Sequence, residues 1–322
     1  MKALVRSAGF LTSVQDLGRP GFRQSGVSVG GALDTQAMRV ANALVGNRNE
    51  VAGLEVTLGK LQLRFEDARL VAWCGGAFTV RLGDKNLPAG HAGLVAKDDE
   101  LTMTAPQTGA RAWLAISGGI DVPPVLGSRS TDLRGNFGGY QGRALRAGDA
   151  LPLGRAKKLP ARKRTVSEWK APAPWATPGR APAALRFVRG TDWNRFLSRA
   201  HTSLVMRSFA VTPASDRMGA RLDGPPLDRM RTTDLLSEAV APGTLQVPPN
   251  GEPILLLGDC QTIGGYPKIA HVITADLPIA AQLWPGHQVR FHEVSLMEAQ
   301  RLLREREEDF ARFRVGLSLH LS

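Results

Sequence analysis

Four segments of this 322-residue chain combine glycines with closely spaced polar side chains, a pattern typical of sites for small polar ligands. They span residues 13–21, 118–132, 215–219 and 259–267. Glycine permits positive φ angles and close approach of the backbone, while Gln, Ser, Thr, Asp and Arg supply directed donors and acceptors. The alternative is that each segment is a β-turn whose Asp and Ser side chains bond their own backbone.

Side chains from these segments are expected to line one shared polar cleft. Arg129 is the candidate for binding a carboxylate or phosphate, because its planar guanidinium can form two parallel charge-assisted hydrogen bonds. Asp259 is the candidate catalytic base or proton acceptor, with the alternative that it only caps the turn at Gly264 and Gly265. The candidate substrate-binding residues are Gln15, Asp16, Arg19, Ser128, Ser130, Thr131, Gln261, Thr262 and Tyr266.

Common catalytic signatures are missing from the sequence. It contains no Walker-type phosphate loop, no dinucleotide-binding glycine turn and no zinc-binding His-Glu-x-x-His helix. The six histidines are scattered without ligand spacing, so no metal site is predicted. No biotin-acceptor lysine motif is present, so biotin could take part only if another chain carried it.

The net charge of +12 is concentrated in one stretch of the chain. Between Arg155 and Arg180 there are eight basic residues and one acid, a net of +7, interspersed with four prolines. This composition favours a solvated linker over a binding face. Because aromatic residues do not alternate with the basic ones, nucleic-acid binding is not expected.

The rest of the chain predicts a mainly β protein with few short helices. Short β-rich runs separated by Gly, Pro, Asp and Asn clusters indicate barrels or sandwiches. The stretch from Glu55 to Leu63 is echoed, with one insertion, by Glu238 to Val247, and a cysteine-bearing turn follows each. We therefore expect two β-barrels from an internal duplication. The predicted parts are a first barrel (1–155), a linker (156–182), a second barrel (183–296) and a C-terminal helical tail (297–322).

Cysteine content and hydropathy favour a cytoplasmic protein. Only two cysteines are present, too few to staple a chain of this length, so Cys74 and Cys260 are expected to be free thiols. No apolar run approaches the roughly 20 residues that cross a bilayer, so no membrane association is predicted.

Motifs in fixed order between about residues 3 and 294 closely resemble the allophanate hydrolase subunit 2 family. This biotin-dependent carboxyltransferase-like family includes KipA and the C subunit of prokaryotic 5-oxoprolinase. The resemblance rests on residues 13–21, 30–34 leading to 41–42 and 46–47, 118–131, 138–139 with 142–143 and 148–149, 215–222, 243–248, and 259–267.

The resemblance implies two cyclophilin-like β-barrels and a complex with a KipI-like subunit 1 protein. For 5-oxoprolinase it also implies a lactam-utilisation protein as a further partner, and the ATP-dependent opening of 5-oxo-L-proline to L-glutamate, with ATP and Mg bound in the complex. Two alternatives stay open. One is the carboxyltransferase component of a biotin-dependent urea or amide carboxylase. The other is a regulatory protein without catalysis that binds a KipI-like kinase inhibitor.

Overall fold

The computed structural model describes residues 1–156, 166–177, 183–231 and 235–321. The chain divides into two compact units, each containing segments that are distant in sequence. Unit 1 comprises Met1–Arg19, Gly30–Gly179 and Asp309–Ser322, and unit 2 comprises Pro20–Val29 and Arg180–Glu308. Within the described ranges, no helix has the length and apolar character needed to cross a membrane.

Unit 1 is built from two six-stranded sheets. The first has the order β11-β1-β4-β9-β6-β7 and the second β12-β8-β5-β10-β3-β2, with antiparallel pairing throughout. The strands are β1 Lys2–Ala8, β2 Leu11–Gln15, β3 Gly53–Thr57, β4 Leu61–Phe65, β5 Arg69–Gly75, β6 Val80–Leu82, β7 Lys85–Asn86, β8 His91–Val95, β9 Glu100–Met103, β10 Arg111–Ile116, β11 Ala150–Pro152 and β12 Val166–Lys170.

Apolar residues from both sheets of unit 1 form one buried cluster. Leu63 and Leu101 from the first sheet join Leu54, Trp73 and Leu114 from the second. The alternating burial along β4 is the period-two pattern of a strand with one face in the core. The prediction of a mainly β fold is confirmed, although this half forms two sheets rather than one closed barrel.

Helix α1, Thr35–Leu44, belongs to unit 1 and begins after Asp34, a residue type that is favoured at the N-cap. The Asp34 carboxylate accepts a hydrogen bond from Ala37 N at 2.8 Å, satisfying one of the free N–H groups of the first turn. Met38, Ala41 and Val45 lie in a second buried cluster together with Phe310.

Part of the predicted linker is packed rather than solvated. Residues Val166–Lys170 form β12 against β8, and α2, Ala173–Ala176, follows. Ala171 belongs to the buried cluster that contains α1, and Ala176 is also buried. These residues are therefore not part of a solvated linker, although they lie within the predicted linker of 156–182. The prolines and basic residues of this stretch led to that prediction. The basic residues Lys157, Lys158, Arg162, Lys163 and Arg164 lie outside the described residues.

Unit 2 contains a closed seven-stranded barrel, as the prediction for the second half requires. Its order is β13-β20-β17-β18-β15-β14-β21, and a separate two-stranded sheet pairs β16 with β19. The strands are β13 Ala183–Arg189, β14 Ser208–Val211, β15 Gly219–Asp223, β16 Glu238–Ala239, β17 Thr244–Gln246, β18 Ile254–Leu256, β19 Ile263–Gly264, β20 Lys268–Val272 and β21 Gln288–Glu293. The unit also contains helices α3, Ser198–Met206, and α4, Leu277–Ala280.

The C-terminal tail is one helix, α5, Leu296–Leu321, as predicted. Ser295 Oγ accepts from Glu298 N at 3.1 Å, and Arg301 pairs with Glu305 one turn ahead. The helix contributes to both units: Arg306 donates to the carbonyl of Ala275 in unit 2, while Phe310 is buried in unit 1.

Candidate functional site

In unit 1, the predicted residues 128–131 gather around the carboxylate of Asp16. Asp16 Oδ1 accepts from Ser128 Oγ and Ser130 Oγ, each at 2.6 Å, and Oδ2 accepts from Arg129 N at 2.5 Å. Ser128 and Ser130 are fully buried and Asp16 is nearly so. The carboxylate therefore holds a loop more than a hundred residues away in sequence.

The backbone of this loop is fixed from the other side by strand β2. Thr131 donates to Val14 O through both its backbone N and its Oγ1, at 2.9 Å in each case. Arg19 donates to Ser130 O, and its guanidinium carbon lies 4.8 Å from the centre of the Phe137 ring. Ser128, Ser130, Thr131 and Arg19 thus act here as parts of the framework.

Two groups in unit 1 keep hydrogen-bonding capacity. The Arg129 side chain is 39% exposed, and its ion pair is with Asp121, itself 61% exposed, at 3.1 Å. Gln15 is fully buried and its Nε2 donates to Ser13 Oγ and Thr131 O, while Oε1 has no hydrogen-bond partner among the described residues. An amide oxygen buried without a partner is costly, so it is a candidate acceptor for a ligand.

In unit 2, Asp259 is held by Arg217. Arg217 Nε donates to Asp259 Oδ2 at 2.7 Å and Nη2 donates to Oδ1 at 3.1 Å, a bidentate pair with side-chain exposures of 5% and 16%. Among the described hydrogen bonds, those of the carboxylate go to Arg217 and none goes to the turn at Gly264 and Gly265. Arg217 lies in a predicted segment but not among the predicted site residues.

Gln261, Tyr266 and Gln246 form a chain of amide contacts. Gln261 Nε2 donates to Gln246 Oε1 at 3.3 Å, and Gln246 Nε2 donates to the carbonyl of Tyr266 at 3.0 Å. A Cβ at Gly264 would lie 2.8 Å from Gln246 Nε2, so glycine is what allows this amide to lie against the backbone. The Tyr266 side chain is 46% exposed. Gln246 is a site residue that the prediction missed, although it lies in the repeated stretch.

The segment Pro20–Val29 supplies two further residues that the prediction missed. Arg23 donates to the carbonyls of Val240 and Thr262, and Ser28 Oγ donates to the carbonyl of Cys260 at 2.9 Å. These contacts fix the turn that carries Asp259, Gln261 and Thr262. Burial raises the pKa of the Cys260 thiol to about 11, although the Arg23 charge lowers it in part, so this thiol stays protonated at neutral pH.

A buried lysine follows Pro267 directly in the chain. Lys268 Nζ contacts Glu238 Oε2 at 2.7 Å and Asp192 Oδ2 at 3.4 Å. Burial by itself would lower the pKa of Lys268, but the two carboxylates outweigh burial and raise it. On β20, His271 Nδ1 lies 3.2 Å from Thr244 Oγ1, and burial with the nearby Lys268 charge lowers the pKa of His271.

The structure therefore assembles two polar networks. Unit 1 joins Gln15, Asp16, Arg19, Ser128, Ser130 and Thr131 with the backbone of Arg129, and unit 2 joins Asp259, Gln261, Thr262 and the Tyr266 carbonyl with Arg217, Gln246 and Arg23. The joint cleft of the two sets stays a prediction. No group of three His, Cys, Asp or Glu residues able to hold a metal ion occurs in the described ranges.

Comparison with known proteins assigns the family. Residues 25–293 match the family model of the carboxyltransferase domain, subdomain A and B. The chain belongs to this carboxyltransferase family. Across 94% of both chains it is 41% identical to the C subunit of 5-oxoprolinase from Escherichia coli, and across 92% of both it is 37% identical to the Haemophilus influenzae protein of the same name.

A solved structure extends the comparison. The crystal structure of the urea amidolyase of K. lactis matches 97% of this chain with a TM-score of 0.89 and 30% identity, and the match covers 20% of that chain. The present carboxyltransferase-family chain thus spans about a fifth of the length of that protein. The family resemblance predicted from the motifs is confirmed.

Proposed function

We propose that this chain is the C-type subunit of an ATP-dependent 5-oxoprolinase, which opens 5-oxo-L-proline to L-glutamate together with a KipI-like protein and a lactam-utilisation protein. The observation that carries the proposal is the end-to-end similarity to the C subunit of the Escherichia coli 5-oxoprolinase, at 41% identity over 94% of each chain. The two polar networks support it, since they concentrate on the motif segments.

The proposed substrate sets the chemical requirement. A γ-lactam amide is a poor electrophile, and ATP, when bound in the complex, supplies a phosphoryl group that makes the carbonyl oxygen a leaving group. The protein must hold a planar amide and stabilise negative charge that develops on oxygen, which preorganised donors do best.

The residues of this chain divide into binding and positioning roles. Arg129 is proposed to bind the substrate carboxylate or a phosphate, because its guanidinium is exposed and its surface partner Asp121 is easily displaced. Asp16 positions Arg129 through the backbone N–H at 2.5 Å. Gln15 Oε1 is proposed to accept a hydrogen bond from the lactam N–H, since this buried oxygen has no partner among the described residues.

The turn of unit 2 has the complementary role. Gln261 and Tyr266 are proposed to contact the substrate complex, with Thr262 positioned by Arg23 through its carbonyl. Because both oxygens of Asp259 accept from Arg217, we propose that this pair positions the turn in the resting protein. Each Asp259 oxygen accepts one hydrogen bond from Arg217 and keeps a second lone pair, so Asp259 remains the proposed proton acceptor.

Binding of ATP requires cationic donors for its phosphate oxygens somewhere in the complex. Of the described residues, Arg195, Arg229 and Arg231 fit phosphate oxygens chemically, and they line one cleft in unit 2. Biotin, which the alternative function needs, would be carried by another chain.

Co-expression with the KipI-like and lactam-utilisation proteins tests the proposal. The purified complex is expected to hydrolyse ATP faster when 5-oxo-L-proline is present. It should release one L-glutamate for each additional ATP that it hydrolyses. The chain alone is expected to do neither. An intact complex that hydrolyses ATP without response to 5-oxo-L-proline contradicts the proposal.

The match to the carboxyltransferase model favours one second candidate, the carboxyltransferase component of a biotin-dependent urea or amide carboxylase. It predicts transfer of labelled carboxyl from a biotinylated carrier protein to urea or a simple amide, measured in the same preparation. The regulatory alternative has no support from the relatives described above, which carry enzyme names.

A further inference from the structure

A cleft in unit 2 that lies outside both polar networks is lined by three arginines. Its volume is about 240 Å³, and the lining residues are Asn194, Arg195, Arg229, Met230, Arg231, Leu235 and Pro267. A cavity of about 10–15 Å³ already holds one water, so this cleft has space for a small organic or inorganic ion. None of the described lining residues is acidic.

The wall that carries the arginines is fixed by backbone hydrogen bonds. Met230 N donates to Arg195 O at 2.8 Å, Leu197 N donates to Asp228 O at 3.0 Å, and Phe196 forms a β-bridge with Arg229. These bonds hold two chain segments side by side, so that Arg195 and Arg229 line one opening. The fold therefore fixes the backbone positions from which these arginine side chains extend.

Leu235 and Pro267 also line the cleft, and a second set of contacts constrains the chain around them. Leu235 precedes β16, which pairs with β19 through Glu238 and Gly264. A Cβ at Gly265 would lie 3.2 Å from Leu235 O, so glycine allows the two segments to approach closely. Pro267, which follows Tyr266 in the chain, is a lining residue of the cleft.

The described residues compensate the positive charge of the cleft only in part. Arg195 Nε lies 3.0 Å from Asp192 Oδ1, but the other oxygen of that carboxylate already accepts from Lys268 N at 2.9 Å. Arg229 and Arg231 form no ion pair among the described residues. Guanidinium groups brought together without matching carboxylates attract an anion with several oxygens.

We propose that this cleft binds the phosphate group of a small molecule, either inorganic pyrophosphate or the phosphates of a nucleotide. Three guanidinium groups match the charge and the oxygen number of a polyphosphate better than those of a single carboxylate. For ATP as the ligand the inference rests on the proposed function, but titration of the chain alone measures binding in the cleft separately from turnover by the complex.

Calorimetric titration of the full-length chain with pyrophosphate, ATP and L-glutamate tests this, in about 0.3 M salt to screen the protein's overall positive charge. The variant Arg229→Gln/Arg231→Gln is expected to weaken pyrophosphate binding at least about 10-fold. The matched control Arg221→Gln/Arg290→Gln removes the same charge from exposed positions of the same unit. It is expected to change the affinity for pyrophosphate less than about 2-fold. ATP binding tighter than pyrophosphate identifies a nucleotide site, and equal binding identifies a site for the phosphates alone.

Three outcomes overturn the inference: no binding of either phosphate by the wild-type chain, equal weakening in both double variants, or tighter binding of L-glutamate than of pyrophosphate. If the cleft variant does not fold, as judged by its thermal transition, Arg229→Lys replaces it. Lysine keeps the charge but loses the two parallel bonds, so pyrophosphate binding should weaken about 3-fold. An unchanged affinity in that variant also overturns the inference.

Discussion

Each unit contains a carboxylate that organises a glycine-rich turn. The two carboxylates differ in the donors from which they accept hydrogen bonds. In unit 1, Asp16 accepts from neutral donors, namely two serine hydroxyls and backbone N–H groups. In unit 2, Asp259 accepts from one guanidinium, that of Arg217. The carboxylate of unit 1 therefore remains the charged centre of its network, whereas that of unit 2 is neutralised by its partner.

This difference separates what each network can do. Asp16 accepts from the backbone N–H of Arg129 and leaves the Arg129 side chain 39% exposed to solvent. Arg217 is only 5% exposed, so its charge depends on Asp259 for compensation. The network of unit 1 thus exposes a cation for binding, and the network of unit 2 exposes the Tyr266 ring while the charges of Asp259 and Arg217 are paired.

The largest effect is expected for Asp259→Ala. Removing the carboxylate leaves the Arg217 guanidinium buried without its bidentate partner, which costs about 3 kcal/mol of unfolding free energy. Urea denaturation of the full-length chain measures it. The double variant Asp259→Leu/Arg217→Met, with both charges removed, should recover most of the loss. If the single variant is as stable as the wild type, the pair is not the charge-compensated element described above.

Asp16→Ala is expected to have a smaller effect of about 2 kcal/mol. It leaves the hydroxyls of Ser128 and Ser130 and the N–H of Arg129 without their acceptor, but these neutral donors can be rehydrated when the loop moves. Hydrogen exchange of the loop amides should rise locally. Asp132→Ala is the control, since it removes a carboxylate that caps the next turn. It should not raise the hydrogen exchange of the Arg129 amide. Equal protection in both variants contradicts the role of Asp16.

A third prediction concerns pH and unit 2 only. The pKa of His271 is lowered from 6.5, by burial first and then by the Lys268 charge, so the neutral ring is favoured in the folded state. Its contribution to stability is complete above about pH 6.5 and is lost as the pH falls from there toward the folded-state pKa. Amides of β17 and β20 should lose exchange protection over this range. In His271→Gln this part of the pH dependence of stability should disappear. If stability still falls with pH over the same range, the pH dependence belongs to another group.

The smallest effect on stability is expected for Arg129→Lys, within about 0.5 kcal/mol, because the ion pair with Asp121 is exposed at both ends. Coupling of ATP hydrolysis to 5-oxo-L-proline in the complex should nevertheless fall, since lysine cannot form the bidentate contact. Asp121→Ala is the control and should keep coupling. Wild-type coupling in Arg129→Lys contradicts the binding role of this residue.

Several features could be predicted because they depend on local pattern. Asp34 precedes the apolar positions of α1 and caps it, and Ser295 with Glu298 begins α5. The candidate site residues could be predicted because glycines and polar side chains lie within a few positions of one another in the motif segments. Local composition misled for residues 166–177, where basic residues and prolines favoured a solvated linker although Ala171 is buried among residues far away in sequence.

The sequence by itself determined the mainly β composition, the helical tail, the family and the segments that carry the candidate site. Only the tertiary structure decided which of those side chains are partners. Arg23 bonds to residues more than 200 positions away, and Asp259 pairs with Arg217 across 42 positions. Such pairs leave no periodic signal in one sequence, because the free energy that selects them comes from burying both groups together after the strands have paired.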